Sequence, residues 1–486
     1  MTFEELCRCA GDYRITENAA AAGADSVFVC IRGAHVDGHA FAPEAYRRGC
    51  RLFVAEQAPE LPADADIVSV PDTHLALAAL ACAREGNPSQ ELAVIGITGT
   101  KGKTTTAMLL SHILNRCGVR CGYIGTNGID EGSGHITDTA NTTPDAVTLQ
   151  TALRSMVCAG CRAVALEVSS QALKLGRTAG TVFDSCLFTN LSPDHIGPAE
   201  HPDFADYAAC KKSLFTDYPA RAVICNTDDP FAASILSDAK APLHVTCSAD
   251  GTADFVTRDI RPYRTSVALG SSFILQTPDS PPIPCRIPLI GEGNVANALL
   301  AVACAVTRFG IAPADAAAAL EDAAIPGRSE IVGLPGGALA VIDYAHNGVS
   351  LHRLLTELRA YSPGRLIVLF GSVGERTRMR RQELGAVAGA LSDLAILTSD
   401  NPGREDPAAI IRDIAAGMEG LPAPHMEIPD RAEAIRTAVR LLRPNDILVL
   451  AGKGHERHQL IGTRKIPFCE RDILLSEAKE QSGMTR

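Results

Sequence analysis

Residues 91–118 read ELAVIGITGTKGKTTTAMLLSHILNRCG. The opening ELAVIGIT is apolar and β-branched, the pattern of a buried strand, and the closing TTTAMLLSHILNRCG carries apolar side chains at helical spacing. The turn joining them runs through Gly99, Thr100, Lys101, Gly102 and Lys103 into Thr104 and Thr105 at the head of the helix. A strand that turns through glycines straight into a helix brings backbone N–H groups and the positive helix end against an anion. Lys103 is placed to neutralise the outer phosphates of a nucleotide, and the Thr104 hydroxyl to reach Mg²⁺. The strict Walker A spacing wants a glycine where Ile97 stands, so this is a variant loop.

Working outward, CRAVALEV, DSCLFTNL and RAVICN read as further strands, and TLQTALRSMVCAG as a helix. Strand and helix in alternation predict a mostly parallel sheet covered by helices on both faces. Residues 237–269 carry more strand and turn signals and are expected to extend that sheet in antiparallel fashion. The helix NVANALLAVACAVTRFG then closes the block near Pro326. Beyond it, LAVIDYAH, RLIVLFGS, LAILTSD and DILVLAGKG are strands, each expected to lead into a helix. Each ends in a polar turn, where open α/β sheets bind ligands. Before residue 88, SVFVCI, RLFVAE and DIVSV alternate with Ala-rich helical stretches, and REGNPSQE reads as a linker. The expectation is an α/β chain of three domains: 1–88, a central P-loop-type domain at 89–330, and a Rossmann-like domain at 331–486.

The chain has 486 residues, 46% hydrophobic and 21% charged, with net charge −11. No basic run marks a nucleic-acid partner. No stretch reaches the ~18 apolar residues that span a bilayer, and the N-terminus lacks a signal-peptide pattern. The expected setting is the cytoplasm, without membrane insertion and as a monomer. The 16 cysteines are scattered, several of them within apolar runs, as reduced thiols would be. Cys158 and Cys161 form a C-x-x-C with no second pair to complete a zinc site.

Glu167 ends the strand RAVALEV, where a carboxylate can hold a metal or cap the next helix. His195 follows the next strand and reads as a structural histidine or a metal ligand. Lys211 lies on a helix, in YAACKKSLF, and by itself reads as a surface lysine. The paired Thr142 and Thr143 precede Pro144 at a helix start.

GTKGKTTT resembles the phosphate loop of the Mur ligases and the folylpolyglutamate synthases. The resemblance to the Mur ligases continues in order through NTTPDA, EVSSQAL, TNLSPDH, AACKKSLF, GNVANAL, PGR, DYAH, GER, DNP and AGKGHE, covering nearly the whole chain. It is closest to the branch that extends UDP-muramoyl-L-Ala-D-Glu. The resemblance implies an ATP-dependent amide ligase working through an acyl phosphate in peptidoglycan synthesis. Its partners are a UDP-linked muramoyl dipeptide, bound by the first domain, and a free amino acid, bound by the third.

Carried over residue by residue, the resemblance makes Lys103, Glu167, His195 and Lys211 catalytic. Thr104, Glu167, His195 and Lys211 serve the metal, with a carbamate on Lys211 chosen over Lys212 by the Phe four places later. Residues Gly99–Thr105, Asn294, Arg328, Asp343 and His346 contact ATP. Thr142, Thr143, Ser169 and Arg177 contact the dipeptide. Arg376, Asp400, Asn401, Gly452 and Glu456 bind the amino acid.

Diaminopimelate-adding relatives carry Asp-Asn-Pro-Arg. Here the stretch is Asp400-Asn401-Pro402-Gly403, with Arg404 one place later. Meso-diaminopimelate is the expected amino acid, with L-lysine or another diamino acid the alternative. The family's Ser-Arg pair for uridine is absent from ENAAAAGADS, and Gln171 stands where many relatives have His. A folate ligase on the same scaffold lacks a first block like FVCIRGAHVDGHAF. A nucleotide- or muropeptide-binding sensor is the reading outside enzymes.

Overall fold

The structure, a computed structural model, describes residues 1–33, 36–194, 196–197, 200–375 and 378–484. The chain forms two compact units: Met1–Thr257 with Leu275–Ile283 and Ala296–Ala319, and Arg258–Ile274 with Pro284–Val295 and Leu320–Arg486.

The first unit opens with a four-stranded parallel sheet in the order Arg14–Thr16, Ser26–Val29, Leu52–Ala55, Asp66–Ser69. Its two middle strands, Ser26–Val29 and Leu52–Ala55, are buried on both faces, successive side chains alternating between them. Val27, Val29 and Val54 pack on Leu77, Leu80 and Ala81 of the helix Thr73–Arg84. Phe28 and Phe53 face the other way, onto Ala42 and Ala45.

A larger sheet follows, in the order Leu243–Ser248, Ala222–Asn226, Ser185–Phe188, Ala93–Thr98, Ala163–Glu167, Cys121–Gly125, Gly128–Asp130. All these neighbours run parallel except the last pair. The chain builds first to one side of Ala93–Thr98 and then crosses to the other. The carboxyl end of that strand therefore lies at a switch in winding direction, the place where such sheets bind ligands.

The expected antiparallel extension is corrected. Leu243–Ser248 pairs parallel with Ala222–Asn226, and Phe255–Arg264 begins beside its end, parallel again, with Cys247 opposite Phe255. The helix Phe231–Asp238 supplies the crossover. The turn 249–254 shifts the chain sideways without reversing it. The division between the units passes through this strand and Leu269–Thr277.

The second unit holds a six-stranded sheet ordered Glu330–Gly333, Leu339–Asp343, Ile447–Ala451, Leu366–Phe370, Leu394–Leu397, His425–Glu427. Only the first edge strand is antiparallel. Val341, Val368 and Val449 pack on Leu351, Leu355, Leu384 and Ile414 from three helices. Ile342, Leu369 and Leu450 pack on Ile435, Val439 and Leu474 on the opposite face. Helices on both faces of mostly parallel sheets are the α/β architecture read from the sequence. One expectation fails: Ile447–Ala451 leads into a two-stranded ribbon, His458–Ile461 with Arg464–Pro467, before the helix Glu470–Met484. The ribbon's outer strand is exposed throughout and carries no apolar alternation to betray it. No helix among the described residues is long and apolar enough to cross a membrane.

Candidate active site

The phosphate loop joins Ala93–Thr98 to the helix Lys103–Arg116. Gly99 sits at φ +149°, and a Cβ there would collide with Thr189 Oγ1, so only glycine allows the close approach of residues 189–192. That segment holds the loop. Thr100 N donates to Asn190 O at 2.8 Å. Lys101 N donates to Asn190 Oδ1 at 2.9 Å, and Lys101 O accepts from Thr189 Oγ1 at 2.6 Å. Thr100 Oγ1 donates to Ser192 O at 3.1 Å. The Lys101 side chain reaches Asp194 at 3.0 Å. Lys103 Nζ folds back over the loop to Gly99 O and Thr100 O, at 2.8 and 3.1 Å.

Glu167 ends the neighbouring strand and is fully buried. Its carboxylate accepts from Tyr123 OH at 2.7 Å, Thr126 N at 2.9 Å, Thr126 Oγ1 at 3.1 Å and Thr104 Oγ1 at 3.0 Å. A buried charge needs this many donors to stay in place. The cluster of hard oxygens from Glu167, Thr104 and Thr126 is the donor set that Mg²⁺ takes. Sequence reading named Thr104 and Glu167 but not Tyr123 or Thr126, which come from a part of the chain that carries no recognisable motif. His195 lies outside the described residues.

Lys211 is buried while Lys212 is not; Lys212 turns to Ser234 and Asp238 instead. Lys211 Nζ donates to Gly99 O at 2.9 Å, the same carbonyl that Lys103 uses, and lies 4.5 Å from the Tyr207 ring centroid. Burial first, and then the nearby Lys103, push its amine well below the usual lysine range.

Lys103 and Lys211 line a cavity of about 140 Å³ together with Thr142, Ser169 and Arg177. Thr143 lies behind it: its hydroxyl donates to Glu167 O at 2.8 Å and accepts from Ser169 N at 3.0 Å. Arg177 Nη1 donates to Thr143 O at 3.0 Å. Thr142 bonds Thr126, linking this wall to the Glu167 cluster. All four residues assigned to the dipeptide from the sequence thus come together with the phosphate loop. The cavity also includes Ser170, Gln171 and His201, of which sequence reading noted only Gln171.

The second unit brings its own set together. Arg328 lies over the Tyr344 ring at 4.8 Å, and His346 packs on the same ring. Asp343 accepts from Ser329 N at 2.7 Å and Ala345 N at 2.8 Å, so it fixes the turn that carries Arg328. Arg328 Nε is buried without a hydrogen-bond partner, a donor open to an anion. Asn294 donates to Ile290 O at 2.8 Å near the start of its helix.

At the ends of two further strands, Lys453 is fully buried among Asp400, Asn401 and Glu456. Its ammonium is 2.8 Å from Glu456 Oε2, 3.0 Å from Asn401 Oδ1 and 3.6 Å from Asp400 Oδ1. Burial raises the Glu456 carboxyl, but Lys453 and Asn401 more than offset it, leaving a net lowering. Gly452, at the head of the same turn, follows the strand directly. Arg431, also fully buried, donates to Ser399 O at 3.0 Å, Ala451 O at 2.8 Å and Glu470 Oε1 at 2.8 Å, clamping the two strand ends. Gly403 takes φ +59° and pairs with the ribbon, its N–H on Leu460 O at 3.1 Å. Arg404 is exposed. Arg376 lies outside the described residues. Neither Lys453 nor Arg431 was singled out from the sequence.

The family comparisons match three segments: "Mur ligase family, catalytic domain" over 13–85, "Mur ligase middle domain" over 97–305, and "Mur ligase, glutamate ligase domain" over 327–454. A relative from Chlorobaculum tepidum, UDP-N-acetylmuramoyl-L-alanyl-D-glutamate--2,6-diaminopimelate ligase, is 40% identical over 95% of this chain and 91% of its own length. The enzyme of the same name from Geobacillus kaustophilus is 38% identical over 94% and 92%. A solved structure of a ligase with that name covers 97% of this chain and 95% of its own at 28% identity and TM-score 0.69. The MurF ligase of Thermotoga maritima, solved with ADP, shares the fold at 17% identity and TM-score 0.61. With that full-length match and a phosphate loop built as described, the chain belongs to the Mur ligase family and is an ATP-dependent amide ligase.

Proposed function

We propose that this enzyme adds meso-diaminopimelate, as the third amino acid, to UDP-N-acetylmuramoyl-L-Ala-D-Glu in peptidoglycan synthesis. The observation that carries the reading is one cavity lined both by Lys103 of the phosphate loop and by Arg177, Thr142 and Ser169. Phosphate and carboxylate can meet there. Relatives that match end to end and bear that activity in their names support the choice of substrates.

In the proposed reaction, an oxygen of the glutamate carboxylate attacks the γ-phosphorus of ATP. The bond to ADP breaks, and an acyl phosphate forms. The amine of the incoming amino acid then attacks the carbonyl carbon. A C–N bond forms, the C–O bond to phosphate breaks with its electron pair leaving on phosphate, and the proton of the amine passes to solvent. Arg177 orients the carboxylate, with burial making its guanidinium more demanding of an anion. Lys103 offsets charge on the transferring phosphoryl group, and the loop fixes its direction of approach. Thr104 and Glu167, with His195 as a further candidate, would hold Mg²⁺, which would supply Lewis acidity at the phosphates.

A carbamate on Lys211 belongs to the same proposal. Two ammonium groups on the Gly99 carbonyl repel each other. A buried amine whose protonation is disfavoured is a free nucleophile for CO₂. The carbamate, formed as the amine nitrogen bonds CO₂ and loses a proton to solvent, would replace that second cation with an oxygen ligand for the metal.

The 1–88 segment takes the UDP end, 89–330 the ATP, and 331–486 the amino acid. Asn294, Arg328, Asp343 and His346 are proposed for the nucleotide. Arg376, Asp400, Asn401, Gly452 and Glu456 are proposed for the amino acid. The enzyme is proposed to act as a cytoplasmic monomer.

L-lysine is the second reading, favoured by Gly403: no guanidinium stands at that position, and the nearest side chain to a Cβ there is Glu375. Phosphate release with ATP, Mg²⁺ and the UDP-dipeptide, run against meso-diaminopimelate, L-lysine and L-ornithine with product masses, tests both. Turnover with diaminopimelate alone is expected; no turnover with any of them overturns the reading.

A further inference from the structure

Ser170, His201 and Asp206 form a hydrogen-bonded chain beside the cavity, and nothing above uses it. His201 Nδ1 is 2.7 Å from Asp206 Oδ2, and its Nε2 is 2.9 Å from Ser170 Oγ. His201 and Ser170 are both buried, at 1% and 5% exposure, and both line the cavity. We propose that His201 and Asp206 are positioning residues that hold the Ser170 hydroxyl as a fixed acceptor for an amide N–H of the peptide substrate. The proposal rests on the reading of the cavity as the dipeptide site.

The direction of each bond follows from the donor inventory. Asp206 also accepts from Lys174 Nζ at 2.8 Å, and Lys174 and His201 together hold its carboxyl below the usual range. An ionised carboxylate only accepts, so Nδ1 carries the proton. In the neutral imidazole, Nε2 then has only a lone pair, and the Ser170 O–H is committed to it. What Ser170 has left to offer is oxygen lone pairs. Lys103 and Arg177 supply the same cavity with cationic donors, which suit carboxylate and phosphate but not an N–H. A peptide bringing both a carboxylate and amide N–H groups needs an acceptor as well, and an acceptor whose proton is tied down cannot turn round to donate.

Cys210 Sγ lies close enough to His201 and Asp206 for the three to hold a metal ion. The Lys174 ammonium already bound to Asp206 opposes a second cation there, and the hydrogen-bonded chain satisfies the ring without one.

The test uses the full-length enzyme with ATP, Mg²⁺, the UDP-dipeptide and the preferred amino acid. Ser170→Ala and His201→Gln are each expected to raise KM for the dipeptide about tenfold, the worth of one such bond, with KM for ATP and the amino acid within about twofold. Ser170→Thr keeps the hydroxyl and should restore most of the loss. The double variant should be no worse than Ser170→Ala alone, since both act through one oxygen. An analogue with the dipeptide amide replaced by an ester should bind wild type as weakly as Ser170→Ala binds the amide, and Ser170→Ala should not distinguish the two. A purely structural role would not produce that last pattern. An unchanged dipeptide KM in Ser170→Ala, or losses that simply add in the double variant, overturns the proposal while leaving the wild-type reaction intact. A wild type inert with the dipeptide overturns the underlying reading instead.

Discussion

The two ligand-facing regions solve the same problem by different physics. In the first unit, the phosphate loop is shaped by its own contiguous sequence and held by neutral hydroxyl and amide groups of residues 189–192. In the second, the turns after Leu394–Leu397 and Ile447–Ala451 are held by buried charges, Lys453 among Asp400 and Glu456, and Arg431 on Glu470. Backbone amides aimed at an anion are assembled cheaply by a local turn. A pocket that reads both ends of an amino acid, the role proposed for the second region, needs side chains from distant segments. Those charges are stable only when every partner is present. The difference teaches that the first region should fail in rate and the second in folding.

The largest effect expected is therefore on stability, in the second region. Arg431→Met leaves Glu470 and the Ser399 and Ala451 carbonyls without their donor. Breaking a buried pair costs about 3–5 kcal/mol. The second unit should unfold at clearly lower denaturant than the first, and pairing the change with Glu470→Leu should recover part of the loss. A denaturation curve matching wild type would break the comparison.

Next comes the reverse case. Lys103→Ala removes charge only where the phosphoryl group transfers, and kcat should fall about 10²–10³-fold with the melting temperature little changed. A comparable loss of stability without loss of rate would put the loop in the same class as the second region.

Arg404 sharpens the comparison on specificity. If it swings over Gly403 to hold a distal carboxylate, Arg404→Ala should raise KM for meso-diaminopimelate about tenfold and leave L-lysine unaffected. An equal effect on both amino acids, or none on either, removes Arg404 as the discriminating group and favours the lysine reading.

The same contrast explains what was legible. The strand, loop and helix of 91–118 could be read because apolar period, glycines and lysines lie within one window. Glu167 could be placed because it ends a strand. Tyr123 and Thr126, which hold its carboxylate, could not, since their role comes from a neighbouring strand in the sheet and not from chain proximity. In the second unit, DNP and AGKGHE stood out as motifs, yet nothing in the sequence singled out Lys453 inside the latter. Its burial depends on Asn401 and Glu456 closing around it. The ribbon 458–467, which pairs with Gly403, has too little apolar alternation to announce itself, and so the left-handed turn at Gly403 had no visible cause. The step at 249–254 was misread because turn residues signal a change of direction without saying which way the chain leaves.

The smallest effect lies at the edge of the second region and depends on pH. Glu405, one residue beyond Arg404, meets Arg381 through both oxygens, at 2.7 and 2.6 Å, and accepts from Glu375 N at 2.9 Å. Arg381, and then the Glu375 N–H, hold its carboxyl at about 2 against an ordinary 4.5. A folded-state value below the unfolded one means that ionised Glu405 stabilises the fold fully above about pH 4.5, and that this contribution is lost as pH falls from there through about 2. Glu405→Gln should cost about 1 kcal/mol near neutrality, since Asp413 still pairs with Arg381 and the glutamate is partly open to solvent. The gap between wild type and variant in denaturant titrations should stay level down to about pH 5 and narrow below it. A gap that is constant to the lowest pH at which the protein stays folded would mean that Glu405 acts through packing and not through its charge, and the ionic account of how the second region is held would lose its most exposed member.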